Sequence, residues 1–121
     1  MEDETMEAEK GIIYVDREEG LKRVMGNAKL YMKLLDKFKA DPNLAALLAA
    51  VQEADYEKAQ GLVHTIKGIA ANLSLTELYK QSIAFEGQIK NRAVGPGVPE
   101  AFKSCFEETI KNIDEVIKQY G

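Results

Sequence analysis

The chain has 121 residues, of which 45% are hydrophobic and 30% are charged, a balance typical of one globular domain of ordinary size. A chain of this length buries roughly two thirds of the surface that it exposes when unfolded, so it needs neither disulfides nor a structural metal to fold. One cysteine, Cys105, and one histidine, His64, cannot supply the three or four ligands of a zinc site. This count leaves an all-carboxylate metal site open.

The charge pattern favours a protein partner. Sixteen Lys and Arg stand against twenty Asp and Glu, which gives a net charge of -4, and no basic stripe is present to neutralise phosphates. We therefore expect no binding to nucleic acid. The sequence also lacks a run of about 18 apolar residues and a basic N-terminus followed by an apolar stretch, so we expect no membrane segment and a cytoplasmic protein.

The organisation along the chain predicts one helical domain. Residues 1–10 contain five acidic residues and little that packs, which predicts an acidic flexible tail. From there to the end, over residues 11–121, apolar residues recur at helical spacing and almost nowhere alternate with a period of two. We therefore predict an all-α domain.

Three helical segments are predicted in the first half of the domain. Asp16 is the expected N-cap of a short first helix, which ends at Gly26 and Asn27. The second segment has an apolar stripe and reaches Asp41 and Pro42, after which the pattern resumes as far as residue 54. The pattern does not decide whether Pro42 separates two helices or kinks one, and Asp41 is the expected cap of the part that follows. The inward positions are Leu21, Val24 and Met25 in the first helix, and Leu30, Tyr31, Leu34, Leu35, Phe38, Leu44, Leu47, Leu48 and Val51 after it.

Three further helices complete the pattern. Asp55 is the expected cap of a helix from Tyr56 to about Leu73, and Ser74 with Glu77 forms a capping-box pattern that starts the next one. After a loop over residues 93–99, the last helix runs to residue 120. The inward positions of the last two helices are Leu75, Leu78, Ser82, Phe85 and Ile89, then Phe102, Phe106, Ile110, Ile113, Ile117 and Tyr120. Four long amphipathic helices with short connections predict an antiparallel four-helix bundle with a short additional N-terminal helix.

The only histidine is predicted to face solvent. At roughly 100° per residue, the apolar residues of its helix cluster at about 200° from His64, nearly opposite the imidazole. These residues are Ala59, Leu62, Val63, Ile66, Ile69, Ala70 and Leu73. A lone histidine is more often a hydrogen-bonded structural residue than a functional one, so the interpretation depends on its neighbours.

The neighbours of His64 on this face indicate a phosphoryl acceptor. They are small or polar: Gln60, Gly61, Lys67, Gly68 and Ala71. Each glycine inside a helix costs about 1 kcal/mol relative to alanine; because both project outward, they indicate room for a bulky partner. Lys67 supplies a positive charge one turn from His64, where an anion on the imidazole would lie. A neutral imidazole has one nucleophilic nitrogen near neutral pH, although the sequence does not say which nitrogen reacts.

One segment closely resembles the signature of histidine-containing phosphotransfer (HPt) domains, the carriers of bacterial phosphorelays: HTIKGIAANL at residues 64–73. The stretch VDREEGLKRV at residues 15–24 also resembles the lead-in helix of that family, so the likeness extends from Ile12 onward. The resemblance implies that His64 is phosphorylated, that Lys67 stabilises the phosphoryl group and that Gly68 lets a receiver domain dock. Ser74 departs from the family, which commonly has glycine there, and the capping box supplies a local reason.

The resemblance implies a stand-alone phosphorelay intermediate. It would accept a phosphoryl group on His64 from a receiver aspartyl phosphate, in a hybrid kinase or a response regulator, and pass it to another receiver aspartate. The docking face would comprise Gln60, Gly61, Gly68 and Ala71. The chain would need no cofactor or metal, since magnesium belongs to the receiver, and we expect a monomer. No phosphate-cradling loop is present, so the chain is not expected to be a kinase. The alternative is a helical adaptor that binds a receiver or another signalling protein and carries no phosphate.

Overall fold

The computed structural model describes residues 12–120, so the predicted tail over residues 1–10 lies outside the described residues. Within the described range, six helices follow one another: α1 (Arg17–Arg23), α2 (Ala28–Phe38), α3 (Asn43–Gln52), α4 (Tyr56–Asn72), α5 (Thr76–Lys90) and α6 (Val98–Tyr120). Residues 12–120 contain no β-strand. The prediction of an all-α fold is confirmed.

The predicted caps at two helix starts are confirmed. The carboxylate of Asp16 accepts a hydrogen bond from the amide of Glu19, and that of Asp55 accepts one from the amide of Lys58. Each bond satisfies one of the backbone donors that a helix leaves free in its first turn. Asn27, expected only to end α1, caps α2 in the same way.

The structure decides between a break and a kink at Pro42. Helix α2 ends at Phe38, and α3 begins at Asn43, so two helices are separated by a turn over residues 39–42. Asp41 accepts a hydrogen bond from the amide of Asn43 at 2.7 Å, although Pro42 occupies the cap position itself. Residues 28–52 therefore form two separate helices rather than one kinked helix.

The bundle places α4 between two neighbours. Helix α4 packs most extensively against α5 and α3, and α6 closes the bundle against α5, α2 and α3. Three-residue connections on either side of α4 make it antiparallel to both neighbours. The buried apolar core comprises Tyr31, Leu35, Phe38, Leu47, Ala50, Ala59, Val63, Ile66, Ala70, Leu73, Leu75, Leu78, Phe85, Ile89, Phe102, Phe106, Ile113 and Val116.

Three predicted inward positions are wrong. Met25 is 95% exposed because it lies in the turn after α1 with φ 57°, which points its side chain away from the bundle. Leu30 in the first turn of α2 and Tyr120 at the end of α6 are also exposed. Both lie near a helix end, where the periodic pattern continues although the neighbouring helix no longer covers it.

A buried tyrosine ties the N-terminal helices to the end of α4. The hydroxyl of Tyr31 donates a hydrogen bond to the carbonyl of Leu73 at 2.7 Å, and its ring fills the space beside Gly20, where a Cβ would overlap it. Burial, with Asp16 and Glu19 nearby, raises the pKa of Tyr31 to about 12. The hydroxyl therefore remains a donor over the whole physiological pH range, and any larger residue in place of Gly20 would displace the ring.

The capping box predicted at Ser74 is wrong. Helix α5 starts after Leu75, and no side chain caps it. Ser74 instead ends α4: it has φ 57°, and the amide of Leu75 donates to the carbonyl of Ala70 at 2.8 Å. This is the Schellman arrangement, which normally has glycine in the left-handed position. The hydroxyl of Ser74 is buried and has no hydrogen-bond partner among the described residues.

The same ending recurs at three other helices. Met25, Ala54 and Arg92 also have positive φ angles between 54° and 59°, although none is glycine. A side chain in this conformation costs about 1 kcal/mol or more. The fold therefore tolerates strain at four helix ends, and at Ser74 it adds an unpaired buried hydroxyl.

We expect Ser74→Gly to raise the free energy of unfolding by about 1 kcal/mol, or roughly 3–5 °C in Tm, because it relieves the left-handed strain. Ser74→Ala removes the hydroxyl but keeps the Cβ, so its gain should be smaller. Urea and thermal denaturation of both variants test this. Equal stabilities for the two variants would show that the backbone strain is unimportant.

Candidate functional site

His64 lies in the middle of α4 with 70% of its side chain exposed. The residues that hold α4 against the bundle, including Val63 and Ile66 on either side in sequence, are fully buried. The predicted solvent-facing orientation is therefore confirmed. The imidazole is accessible to a partner, while the helix that carries it is anchored along its opposite face.

A buried carboxylate from the next helix contacts the imidazole. Glu86 on α5 is 6% exposed, and its Oε2 lies 3.3 Å from Nδ1 of His64. Its other oxygen, Oε1, accepts a hydrogen bond from Nζ of Lys67 at 2.7 Å. One carboxylate thus holds His64 and Lys67 together. From the sequence alone, Glu86 is expected to be an ordinary solvated side chain, and this expectation is wrong.

Sequence reasoning missed Glu86 because its role arises between helices. It lies 22 residues from His64, and nothing in the spacing along one helix connects the two. One signal was present: Glu86 sits between the core residues Phe85 and Ile89, at the edge of the apolar face of α5. An acidic residue at the edge of a buried face needs a partner, and the basic groups of the adjacent helix supply it.

The carboxylate of Glu86 is held ionised. Burial by itself raises the pKa of Glu86, but the hydrogen bond and charge of Lys67, the hydrogen bond with His64 and the charge of Lys90 outweigh burial, and the net pKa is lowered. Glu86 is therefore an acceptor throughout the neutral range. A neutral His64 that donates to it must carry its proton on Nδ1, which leaves the lone pair on Nε2.

Lys67 is oriented by Glu86 rather than extended into solvent. Its side chain is 26% exposed, and its ammonium group bonds the carboxylate. The sequence correctly places Lys67 one turn from His64. The structure adds that this lysine is partly neutralised by an ion pair before any anion arrives.

An open polar pocket adjoins the imidazole on the N-terminal side of His64. Two of the predicted docking residues, Gln60 and Gly61, belong to it. The pocket is lined by Glu57, Gln60, Gly61, His64, Glu86 and Lys90. Lys67 is not part of this lining. Lys90, at the end of α5, was not singled out from the sequence.

The two glycines on the face of His64 have no packing function within the chain. A Cβ at Gly61 or at Gly68 would meet nothing within 4 Å, so both positions are open to solvent, as predicted. Ala71, further along α4, is half-buried and lines a second depression that also includes Tyr79. The small residues between Gly61 and Ala71 therefore leave open space on the surface of α4 around the imidazole.

Two glutamines of α5 that could have approached His64 have other partners. Gln81 donates a hydrogen bond to Glu77 at 3.0 Å, and Gln88 accepts one from the amide of Gly95 at 3.0 Å. Neither of these hydrogen bonds involves the imidazole.

The arrangement suits covalent carriage of a group on an exposed nitrogen. The imidazole is 70% exposed and its Nδ1 faces a carboxylate. Lys67 bonds that carboxylate, and Lys90 lines the pocket beside the ring. Within residues 12–120, no three His, Cys, Asp or Glu side chains cluster to hold a metal, and none of the helices described is long and apolar enough to cross a membrane. The site is an exposed imidazole on a helical bundle.

Comparison with protein families identifies the class to which this bundle belongs. The model of the Hpt domain matches residues 34–116, which include α3, α4 and α5, most of α6 and both His64 and Glu86. The chain therefore belongs to the Hpt domain family. The predicted likeness of residues 15–24 to the lead-in helix of the family lies outside the matched region. Comparisons with curated proteins and with solved structures gave no match.

Membership of the family implies a phosphotransfer role in two-component signalling. Hpt domains are phosphocarriers rather than kinases, and they interact with receiver domains.

We expect the neutral imidazole of His64 to carry its proton on Nδ1 in the wild-type protein. Glu86→Ala removes the acceptor that selects this tautomer, so the Nε2–H form should increase. The ring-nitrogen chemical shifts of the single histidine, measured by NMR at a pH at which the imidazole is neutral, distinguish the Nδ1–H tautomer from the Nε2–H tautomer. Glu77→Ala, which alters another acidic residue of α5, is the control, and an unchanged tautomer in Glu86→Ala would disprove the role of Glu86.

Proposed function

We propose that the chain is a phosphorelay intermediate that accepts a phosphoryl group on His64 from a receiver aspartyl phosphate and passes it to the aspartate of a response regulator. The observation that supports this most directly is the exposed imidazole of His64 with its Nδ1 held by the buried carboxylate of Glu86. This arrangement leaves the nucleophilic nitrogen accessible and needs no separate base in the chain.

Nε2 of His64 is the proposed reacting atom. Its lone pair attacks phosphorus, the new N–P bond forms, and the P–O bond to the aspartyl carboxylate of the donor receiver breaks. The donor aspartate leaves as a carboxylate, and the proton on Nδ1 stays in place. Transfer to the second receiver reverses these steps, with its aspartate as the attacking group.

Glu86 and Lys67 stabilise the charges that this step creates. An imidazole that bears a proton on Nδ1 and a phosphoryl group on Nε2 carries a positive ring charge, which the carboxylate of Glu86 balances at short range. Lys67 limits the repulsion between that carboxylate and the incoming phosphoryl oxygens. Because these groups are already oriented by the bundle, little reorganisation is needed during transfer.

The face around His64 is the proposed docking surface for the receiver. Gly61 and Gly68 have no side chain that would hold a partner away from the helix, and Gln60 and Ala71 lie at the border of this surface. The receiver supplies the magnesium ion and the acidic pocket that holds its aspartate, so the carrier needs no cofactor of its own. Transient docking of this kind suits a monomer.

His64→Gln should abolish phosphorylation and leave the fold intact, since an exposed side chain contributes little to stability. The protein is first charged with phosphoramidate, a small reagent that phosphorylates histidine, and is then offered to receiver domains with magnesium. Wild type should lose acid-labile phosphate rapidly to at least one receiver. Lys111→Ala, an exposed substitution on α6, is the control and should behave like wild type.

Two results would contradict the carrier. Loss of a cooperative melt in His64→Gln would show that the imidazole is structural. If phosphohistidine were untouched by every receiver while uncharged wild type and His64→Gln bound one of them equally, the adaptor function would replace the carrier.

Gly68→Ala and Gly68→Leu should slow transfer from the receiver progressively, because a side chain here separates the two proteins. The alanine variant should also be more stable than wild type by about 0.5–1 kcal/mol, because the helix gains propensity and no clash arises. Transfer rates at several receiver concentrations and urea denaturation test both effects. A leucine variant that accepted phosphate from the receiver as fast as wild type would exclude Gly68 from the interface.

A further inference from the structure

Two lysines lie near His64, one on α4 and one at the end of α5, and their surroundings differ. Lys67 follows His64 by one turn of α4 and bonds Glu86 at 2.7 Å. Lys90 follows Glu86 by one turn of α5 and is exposed. Because α4 and α5 are antiparallel, Lys90 lies beside the part of α4 that precedes His64, whereas Lys67 lies on the part that follows it.

The direction of the His64 side chain favours the side of Lys90. Helical side chains lean toward the N-terminus of their helix and cover the preceding turn. For His64 this turn contains Gln60 and Gly61, and these two residues line the open pocket together with His64 and Lys90. The absence of a side chain at Gly61 leaves space beside the imidazole where a phosphoryl group fits.

The ion pairs also distinguish the two lysines. The ammonium of Lys67 is already bound to a carboxylate, and its side chain is 26% exposed. Within residues 12–120, Lys90 makes no ion pair shorter than 4.0 Å, although its charge is felt by Glu86. A lysine side chain has a flexible four-carbon stem, so Lys90 can turn its ammonium group into the pocket without breaking an ion pair with another residue of the range 12–120.

We propose that Lys90 is the cation that contacts the phosphoryl group on His64, whereas Lys67 acts through Glu86 as a positioning residue. This inference rests on the proposed function. It modifies the role that the family resemblance implies for Lys67, and it gives the pocket between α4 and α5 a ligand, the phosphoryl oxygens of phosphohistidine. Glu57 and Glu86 line the same pocket and both oppose an anion. Lys67 is bonded to Glu86, and Lys90 offsets the repulsion from Glu57.

The charge of the phosphoryl group itself provides the test. A cation in contact with a phosphoryl group favours its dianion and lowers its second pKa. The protein is charged with phosphoramidate, and the ³¹P chemical shift of phospho-His64 is followed against pH in wild type, Lys90→Ala, Lys90→Arg and Lys67→Ala. Lys80→Ala is the matched control, because this exposed lysine is on the same helix but roughly 15 Å from Lys90, toward the N-terminus of α5.

We expect Lys90→Ala to raise the second pKa of the phosphoryl group by about half a unit or more, and Lys90→Arg to restore most of the wild-type value. Lys80→Ala should leave the pKa unchanged. Lys67→Ala should produce a smaller change in the pKa than Lys90→Ala, and a larger change in the ring-nitrogen shifts of His64, since its effect passes through Glu86.

Three results would overturn the proposal. The first is a phosphoryl pKa that does not move in Lys90→Ala. The second is an equal shift in Lys80→Ala, which would indicate a general field rather than a contact. The third is a larger shift in Lys67→Ala than in Lys90→Ala, which would make Lys67 the contacting cation.

The same experiment distinguishes a failure of the proposed carrier function from a failure of the role proposed for Lys90. If phosphoramidate did not phosphorylate His64 in wild type, or if no receiver took the phosphate, the carrier function would fail and this role of Lys90 with it. If wild type is charged and transfers its phosphate while the pKa ignores Lys90, only the assignment of Lys90 is wrong.

Discussion

The site depends on the packing of α4 against α5, because that contact buries Glu86 beside His64. A carboxylate is costly to bury unless it is bonded to a charged partner, and Glu86 satisfies this requirement with Lys67 at 2.7 Å and His64 at 3.3 Å. The same ion pair that makes the buried charge tolerable also orients the imidazole. A structural requirement of the bundle and a chemical requirement of the carrier are therefore met by one side chain.

The surface around His64 carries features that make the isolated protein less stable. Gly61 and Gly68 weaken α4 without filling any space in the bundle, and a helix of alanines would be more stable at both positions. The proposed docking of a receiver domain accounts for these residues, whereas packing within the chain does not. The anchorage of α4 on its other side, through the buried side chains of Ala59, Val63, Ile66 and Ala70, offsets the loss.

The end of α4 shows a second place where stability is given up. Ser74 occupies a left-handed position that suits glycine, and it does so directly after Leu73, whose carbonyl receives the hydroxyl of Tyr31. The amide of Asp16 also donates to the carbonyl of Ser74 at 2.9 Å. The N-terminal segment, α2 and the α4–α5 turn are thus connected at one point, which holds the strained residue in place.

The sequence by itself determined the helical class, most helix boundaries and the exposure of His64. Each of these follows from the spacing of apolar residues or from a capping side chain. Both effects act between residues that are close together in sequence, so a short stretch of chain is enough to predict them. The sequence also contained the segment at residues 64–73 whose family resemblance the match over residues 34–116 confirms. Its errors at Met25, Ser74 and Tyr120 fall at helix ends, where backbone conformation and coverage by neighbouring helices outweigh the local pattern.

The tertiary structure alone decided which groups surround the imidazole. Glu86 contacts His64 from α5, and Lys90 of the same helix lines the adjoining pocket. Both positions depend on the register of two antiparallel helices rather than on any spacing within one. The register also separates the surroundings of Lys67 from those of Lys90. Side-chain charge and hydrogen bonding act over a few ångströms in space, so residues far apart in sequence define the electrostatics of the site once the helices have packed.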